Sequence, residues 1–112
     1  MLQHSAPLDS VLHALADPVR RGMIERLSQG PASVSALAAP LPMSLSAVVQ
    51  HLAVLQASGL VRSHKVGRVR TCELEPTALH PIEHWLNERR RSWENRLDRL
   101  GAYLDATRDE ET

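Results

Sequence analysis

The run Ser44 to Gly59, SLSAVVQHLAVLQASG, constrains this chain more than any other stretch. It predicts one helix over 44–58 with both ends marked. Ser44 is a strong N-cap, because its hydroxyl accepts a bond from an orphan N–H of the first turn. Gly59 stands where a helix stops in a left-handed turn. Ala47, Val48, Leu52 and Leu55 recur at helical spacing and make one apolar face. The opposite face, Leu45, Ser46, Val49, Gln50 and Ala53, carries no charge.

The flanks of that helix decide what it is for. A short helix over 34–39 precedes it, with Ser33 as its cap and Val34 and Leu37 inward, and Pro40 and Pro42 stop it. Leu60 to Lys65 and Val69 to Leu74 then read as two strands joined around Gly67-Arg68, where glycine takes the positive φ of a hairpin. A helix held by a short partner, with a hairpin behind it, is the layout of a helix-turn-helix with a wing. Upstream, residues 1–7 read as a flexible arm and Leu8 to Ala16 as a first helix. Asp17-Pro18 caps and opens a second helix over about 18–28, with Val19, Met23, Ile24 and Leu27 facing the core. The predicted fold is mainly α with a two-stranded hairpin wing over 62–74 and about five helices, in one domain spanning 1–112.

A long last helix over 77–106 completes the chain, followed by an acidic tail over 107–112. Pro81 falls within its first turn, where proline is tolerated. Leu79, Ile82, Leu86, Trp93, Leu97, Leu100 and Leu104 form a stripe along it. A helix this long outruns a core of this size, so its outer portion calls for a second copy of the chain. Leu8, Leu12, Trp85, Leu86, Trp93, Leu97, Leu100 and Leu104 are the candidate dimer contacts. Arg90 and Glu94, four residues apart, are placed to pair.

Charge is zero in total but unevenly placed. No Asp, Glu, Lys or Arg occurs between Leu27 and Val61; Arg62, Lys65, Arg68 and Arg70 then follow with no acid before Glu73. Such a local basic patch matters more for nucleic-acid binding than the net charge. The single cysteine, Cys72, excludes a disulfide within the chain and suits a reducing compartment. No apolar run is long enough to span a membrane and no signal-peptide core is present. No acid/base pair, nucleophile triad or phosphate-cradling loop appears, so no enzyme and no cofactor is expected.

These residues resemble one family. Leu15-Ala16-Asp17-Pro18-Val19-Arg20-Arg21, then Ile24 and Leu27, is similar to the opening signature of ArsR-type winged-helix repressors. The likeness continues through Val34-Ser35-Ala36-Leu37-Ala38, Met43-Ser44, Val48-x-x-His51-Leu52-x-x-Leu55 and Ser58-Gly59-Leu60-Val61. It reaches the wing at Gly67-Arg68-x-Arg70 and the strand end Leu74-Glu75-Pro76. It spans about residues 8 to 105. The resemblance implies a bacterial, cytoplasmic, homodimeric repressor, paired through its first and last helices, that binds imperfect palindromes in promoter DNA. It does not name an inducer. Many metal-sensing members carry paired cysteines on the helix before the reading helix. Here that helix holds no ligand, so the chain resembles the subgroup without that site. The family often has Gln or Arg where this chain has Leu45, Ser in place of Val49, and Lys or Arg near Ala53.

For double-stranded DNA the residues divide by chemistry. Ser44 and Ser46 bond phosphates or bases, and Gln50 can pair bidentately with adenine. Leu45 and Val49 offer apolar contact to thymine methyls, unless one turns inward to pack. That points to an A·T-rich half-site. The reading helix lacks cations, so Arg68 at the hairpin tip, Lys65 and Arg70 must supply phosphate or minor-groove contacts, with Arg62, His64 and Arg21 as further candidates and Arg20 as a structural pair. Two alternatives stand. An uncharged reading helix also suits a winged-helix module that binds protein instead. And His80, Glu83 and His84, at i, i+3 and i+4, share a helix face and offer a metal-responsive repressor its ligands.

Overall fold

The computed structural model describes residues 6–110, with side chains through residue 108. It runs α1 (Ala6–Leu15), α2 (Pro18–Leu27), β1 (Ala32–Ser33), α3 (Val34–Ala38), α4 (Leu45–Ala57), β2 (Val61–Val66), β3 (Val69–Leu74), a 3-10 turn (Pro76–Leu79) and α5 (His80–Glu110). The chain divides into two compact units, Met1–Ile82 and Glu83–Thr112.

The first unit is built by local rules. The Asp17 carboxylate caps α2 by accepting from the N–H of Val19 at 2.8 Å and of Arg20 at 3.1 Å, and Pro18 takes the first position, where its missing N–H costs nothing. Ser33 caps α3 through the Ala36 N–H, and Ser44 caps α4 through the Ala47 N–H, both at 3.1 Å. Gly59, at φ 83°, turns the chain out of α4. The hairpin closes through a two-residue loop, with Val66 opposite Val69 and Gly67 at φ 62°.

The hairpin is not alone. β1 adds to the outer edge of β3, antiparallel, with Ala32 opposite Cys72, giving sheet order β1-β3-β2. The sequence reading has Ser33 only as a helix cap. Two residues are too short a run to show strand periodicity, and their pairing depends on what folds beside them.

Val11 and Ala14 of α1, Met23 and Leu27 of α2, Leu37 of α3, and Val48, Leu52 and Leu55 of α4 are buried together with Ala32, Leu60, Val61 and Cys72. Partly buried Ala78 and Ile82 pack against this core. Leu55 is fully enclosed, and removing its side chain to Cβ costs about 2–5 kcal/mol. Among the described residues no side-chain polar atom is buried without a partner.

The second unit is the outer run of α5, and none of its described residues is buried. Trp93, Leu97, Leu100, Tyr103 and Leu104 are each more than half exposed. Arg89 lies over the Trp85 ring, 5.5 Å from its centroid.

Boundaries moved at both ends. Ala6 and Pro7, expected in the arm, open α1, since proline fits a first turn; residues 1–5 of that arm lie outside the described residues. The last helix begins at His80 rather than 77, because Pro76 opens a 3-10 turn capped by Glu75. It continues to Glu110, into the expected acidic tail, whose residues 111–112 lie outside the described residues.

Candidate nucleic-acid interface

The exposed face of α4 is uncharged and partly apolar, as its spacing requires. Leu45 is 59% exposed and Val49 50% exposed, so neither turns inward. Ser46 and Gln50 are exposed beside them. The Ser44 hydroxyl spends one lone pair on the α4 cap and keeps its proton for another acceptor.

The wing divides into a neutralised base and a cationic tip. At the base Arg62 sits opposite Glu73 and forms ion pairs with Glu73 and Glu75, both at 3.3 Å. Arg62, offered by the sequence reading as a DNA candidate, is thus engaged by two carboxylates that only strand pairing brings to it. At the tip Lys65 lies directly opposite Arg70. Like charges facing across strands are destabilising. Among the described residues neither Lys65, Arg68 nor Arg70 forms an ion pair with an acid. Val66 and Val69 beside them are exposed.

The two arginines of α2 are held from within. Arg20 reaches back to α1 and donates to the carbonyl oxygens of Ala14 and His13; its Nη1 lies 3.4 Å from His51 Nδ1 on α4. Arg21, also a DNA candidate, donates to the Leu15 carbonyl at 2.6 Å.

Two polar residues at the root of the wing were not singled out from the sequence. The Ser63 hydroxyl of β2 accepts from Gln56 Nε2 of α4 and from Arg70 Nη1 of β3, each at 2.9 Å. Gln56 continues the Val49–Ala53 face at helical spacing, a signal available in the sequence. Ser63 offers no such signal, since its partners depend on register. Val34, Val49, Leu52, Ala53, Gln56 and Arg70 line a concavity of about 490 Å³ between α4 and the hairpin.

A family description, helix-turn-helix domain, matches residues 15–64. The chain is 38% identical over 102 residues to the HTH-type transcriptional regulator Rv2034 of Mycobacterium tuberculosis, across 91% of this chain and 92% of that protein. A crystal structure of an ArsR family transcriptional regulator is 46% identical, with a TM-score of 0.78 over 84% of this chain and 97% of that one. The chain belongs to the ArsR family of transcriptional regulators. An ArsR-like transcriptional regulator from Rhodococcus sp. RHA1 is also similar, at 37% identity and TM-score 0.73, over 85% of this chain and 90% of that one.

The expected winged helix-turn-helix is the fold of this ArsR-family chain, and the family is one of transcriptional regulators rather than enzymes. Its α3 carries no His, Cys, Asp or Glu, so the paired-cysteine metal motif is missing from the sequence. Cys72 is fully enclosed, and burial pushes its thiol up against the smaller opposing influence of Arg70. The His80, Glu83 and His84 candidates are not assembled: among the described residues no three ligand-type side chains gather to hold a metal. His84 instead lies 3.1 Å from Glu88, one turn on, and Glu88 also pairs with Arg89. Among the described residues Arg90 and Glu94 form no ion pair. No described helix is long and apolar enough to cross a membrane.

Proposed function

We propose that this ArsR-family chain is a cytoplasmic, homodimeric repressor that reads an imperfect palindrome in double-stranded promoter DNA. α4 enters the major groove, and the wing over 62–74 lies on the minor groove or its flanking phosphates. The observation that carries this reading is the wing tip. Lys65 and Arg70 face one another across the strands, with Arg68 beside them, and no described acid offsets them. A surface that holds three unneutralised cations at a cost is completed by an anion, and duplex phosphates supply it.

Specificity in this reading comes from Leu45, Ser46, Val49 and Gln50, with Ser44 at the helix start. Gln50 pairs with adenine, and Leu45 and Val49 touch thymine methyls, so the half-site is rich in A·T. Lys65, Arg68 and Arg70 supply affinity. Arg62 and Arg21 contribute only through donors left over from their bonds within the chain. The second copy is held by Leu8 and Leu12 of α1 and by Trp85, Leu86, Trp93, Leu97, Leu100 and Leu104 of α5. Exposure of large apolar groups along that stripe supports it.

The test joins two readouts on one sample. Light scattering after size exclusion gives the mass, and duplexes selected from a random pool are titrated at two salt concentrations, with zinc and with chelator. A dimer that enriches an inverted repeat, loses affinity steeply with salt and ignores zinc supports the proposal. A dimer that enriches no duplex overturns it and assigns the apolar face of α4 to a protein partner. Loss of binding with zinc transfers the sensing role to His80 and His84.

A further inference from the structure

We infer that Gln56, Ser63 and Arg70 form a preassembled seat for one backbone phosphate of the duplex, where α4 meets the hairpin. The inference rests on the DNA-binding reading above and adds two residues, Gln56 and Ser63, to it.

Hydrogen-bond arithmetic at Ser63 carries the argument. A serine hydroxyl has two acceptor lone pairs and one proton. Both lone pairs are taken, by Gln56 Nε2 and by Arg70 Nη1 at 2.9 Å each. Its own proton must therefore point away from both. Gln56 keeps a second amide proton and Arg70 keeps further guanidinium donors. Two side chains, from α4 and β3, thus converge on the hydroxyl of a third on β2, and each of the three has a donor to spare. Gln56 Oε1 is the one acceptor left over; the rest of the surplus is of donors, and a phosphate oxygen accepts several at once.

Charge and shape agree. Arg70 faces Lys65 across the hairpin and is paired with no described acid, so the seat keeps its positive charge. Gln56 and Arg70 also line the concavity between α4 and the hairpin, with Val49, Leu52 and Ala53 as its apolar wall. The bridge further ties the reading helix to the wing, so the seat holds the two at a set angle before DNA arrives. A contact ready in advance loses less side-chain entropy on binding.

The probe is a duplex enriched from a random pool by the wild-type protein, with single phosphates replaced in turn by neutral methylphosphonates. Ser63→Ala is expected to weaken binding to the unmodified duplex about tenfold, as for a bond to a charged group, and to leave the salt slope unchanged, because serine carries no charge and Arg70 remains. At one phosphate in each half-site, neutralisation weakens the wild type more than it weakens Ser63→Ala. Ser63→Thr, which keeps the hydroxyl and suits a strand, binds as wild type. Gln56→Glu, which places a carboxylate in the seat, weakens binding more than Gln56→Leu does.

Ser63→Ala binding like wild type, while Arg68→Ala weakens binding, overturns the seat and leaves the DNA reading standing. A Ser63→Ala loss equal at every neutralised phosphate also overturns it, because the residue then acts through structure alone. Competition by inorganic phosphate beyond that of chloride at matched ionic strength assigns the site to a free anion and overturns the duplex seat. A protein that enriches no duplex overturns both readings.

Discussion

Arg20 donates from Nε to the carbonyl oxygen of Ala14 at 2.8 Å, joining the start of α2 to the end of α1. Its Nη2 reaches the His13 carbonyl at 3.0 Å, and Arg21 takes the Leu15 carbonyl. The last carbonyls of a helix lack partners within it and carry its negative dipole end. Two adjacent arginines satisfy three of them. The Arg20 side chain is only 11% exposed and also approaches His51, so one residue ties α1, α2 and α4. Arg20→Met is expected to lower unfolding free energy by about 2–3 kcal/mol, while exposed Arg21→Ala costs under about 1 kcal/mol. Urea titration of both variants checks this, and equal losses would mean that exposure does not separate them.

The caps make a second prediction. Ser44→Ala removes the acceptor for the Ala47 N–H and should cost about 1 kcal/mol. The same change loosens the first turn of α4, where base contacts are proposed, so DNA affinity falls further than stability alone accounts for. Thermal unfolding and duplex titration on one preparation compare the two losses. A stability loss with unchanged affinity would place base reading beyond that first turn.

Arg68 at the hairpin tip separates binding from folding. Its side chain pairs with no described acid and stands among like charges, so Arg68→Ala does not lower the melting temperature. It weakens binding to all sequences alike and lowers the salt slope by about 0.9 per chain. An unchanged slope removes the tip from the proposed interface.

Acid should unfold the protein partly through two helix-end carboxylates. The Arg20 N–H, with smaller help from Val19, holds Asp17 below its ordinary 3.8; the Thr77 hydroxyl and N–H hold Glu75 below its ordinary 4.5. A carboxylate lowered by folding adds stability that is complete above its ordinary value and is lost as the pH falls through the lowered one. Asp17→Asn keeps a capping side chain but no charge, so its melting temperature should fall less steeply than wild type below about pH 4. Parallel melting curves across the acid range would dismiss Asp17 as a contributor.

The apolar stripe of α5 tests assembly. Leu97 is 62% exposed, so Leu97→Glu leaves the Met1–Ile82 core untouched. In a dimer held by that stripe it buries an unpaired charge and should halve the mass in solution. Light scattering reads this directly, and an unchanged dimer would move the interface elsewhere.

Much of this was legible in the residues themselves. Ser33, Ser44, Asp17-Pro18, Gly59 and Gly67 act through bonds and backbone angles within a few positions, so sequence alone determined the starts of α2, α3 and α4, the exit from α4 and the hairpin turn. The spacing of Val48, Leu52 and Leu55 determined which side of α4 is buried, and the same periodicity left Leu45 and Val49 outside. Tertiary structure decided which cations are free. Arg20, Arg21 and Arg62 look like Lys65, Arg68 and Arg70 along the chain. Their difference is that carbonyls of α1 and the carboxylates of Glu73 and Glu75 are brought to the first three by helix packing and strand register. It also decided the meeting of Gln56, Ser63 and Arg70, because a hydrogen bond joins atoms a few ångströms apart in space, and no spacing rule within one element brings together residues from a helix and two strands.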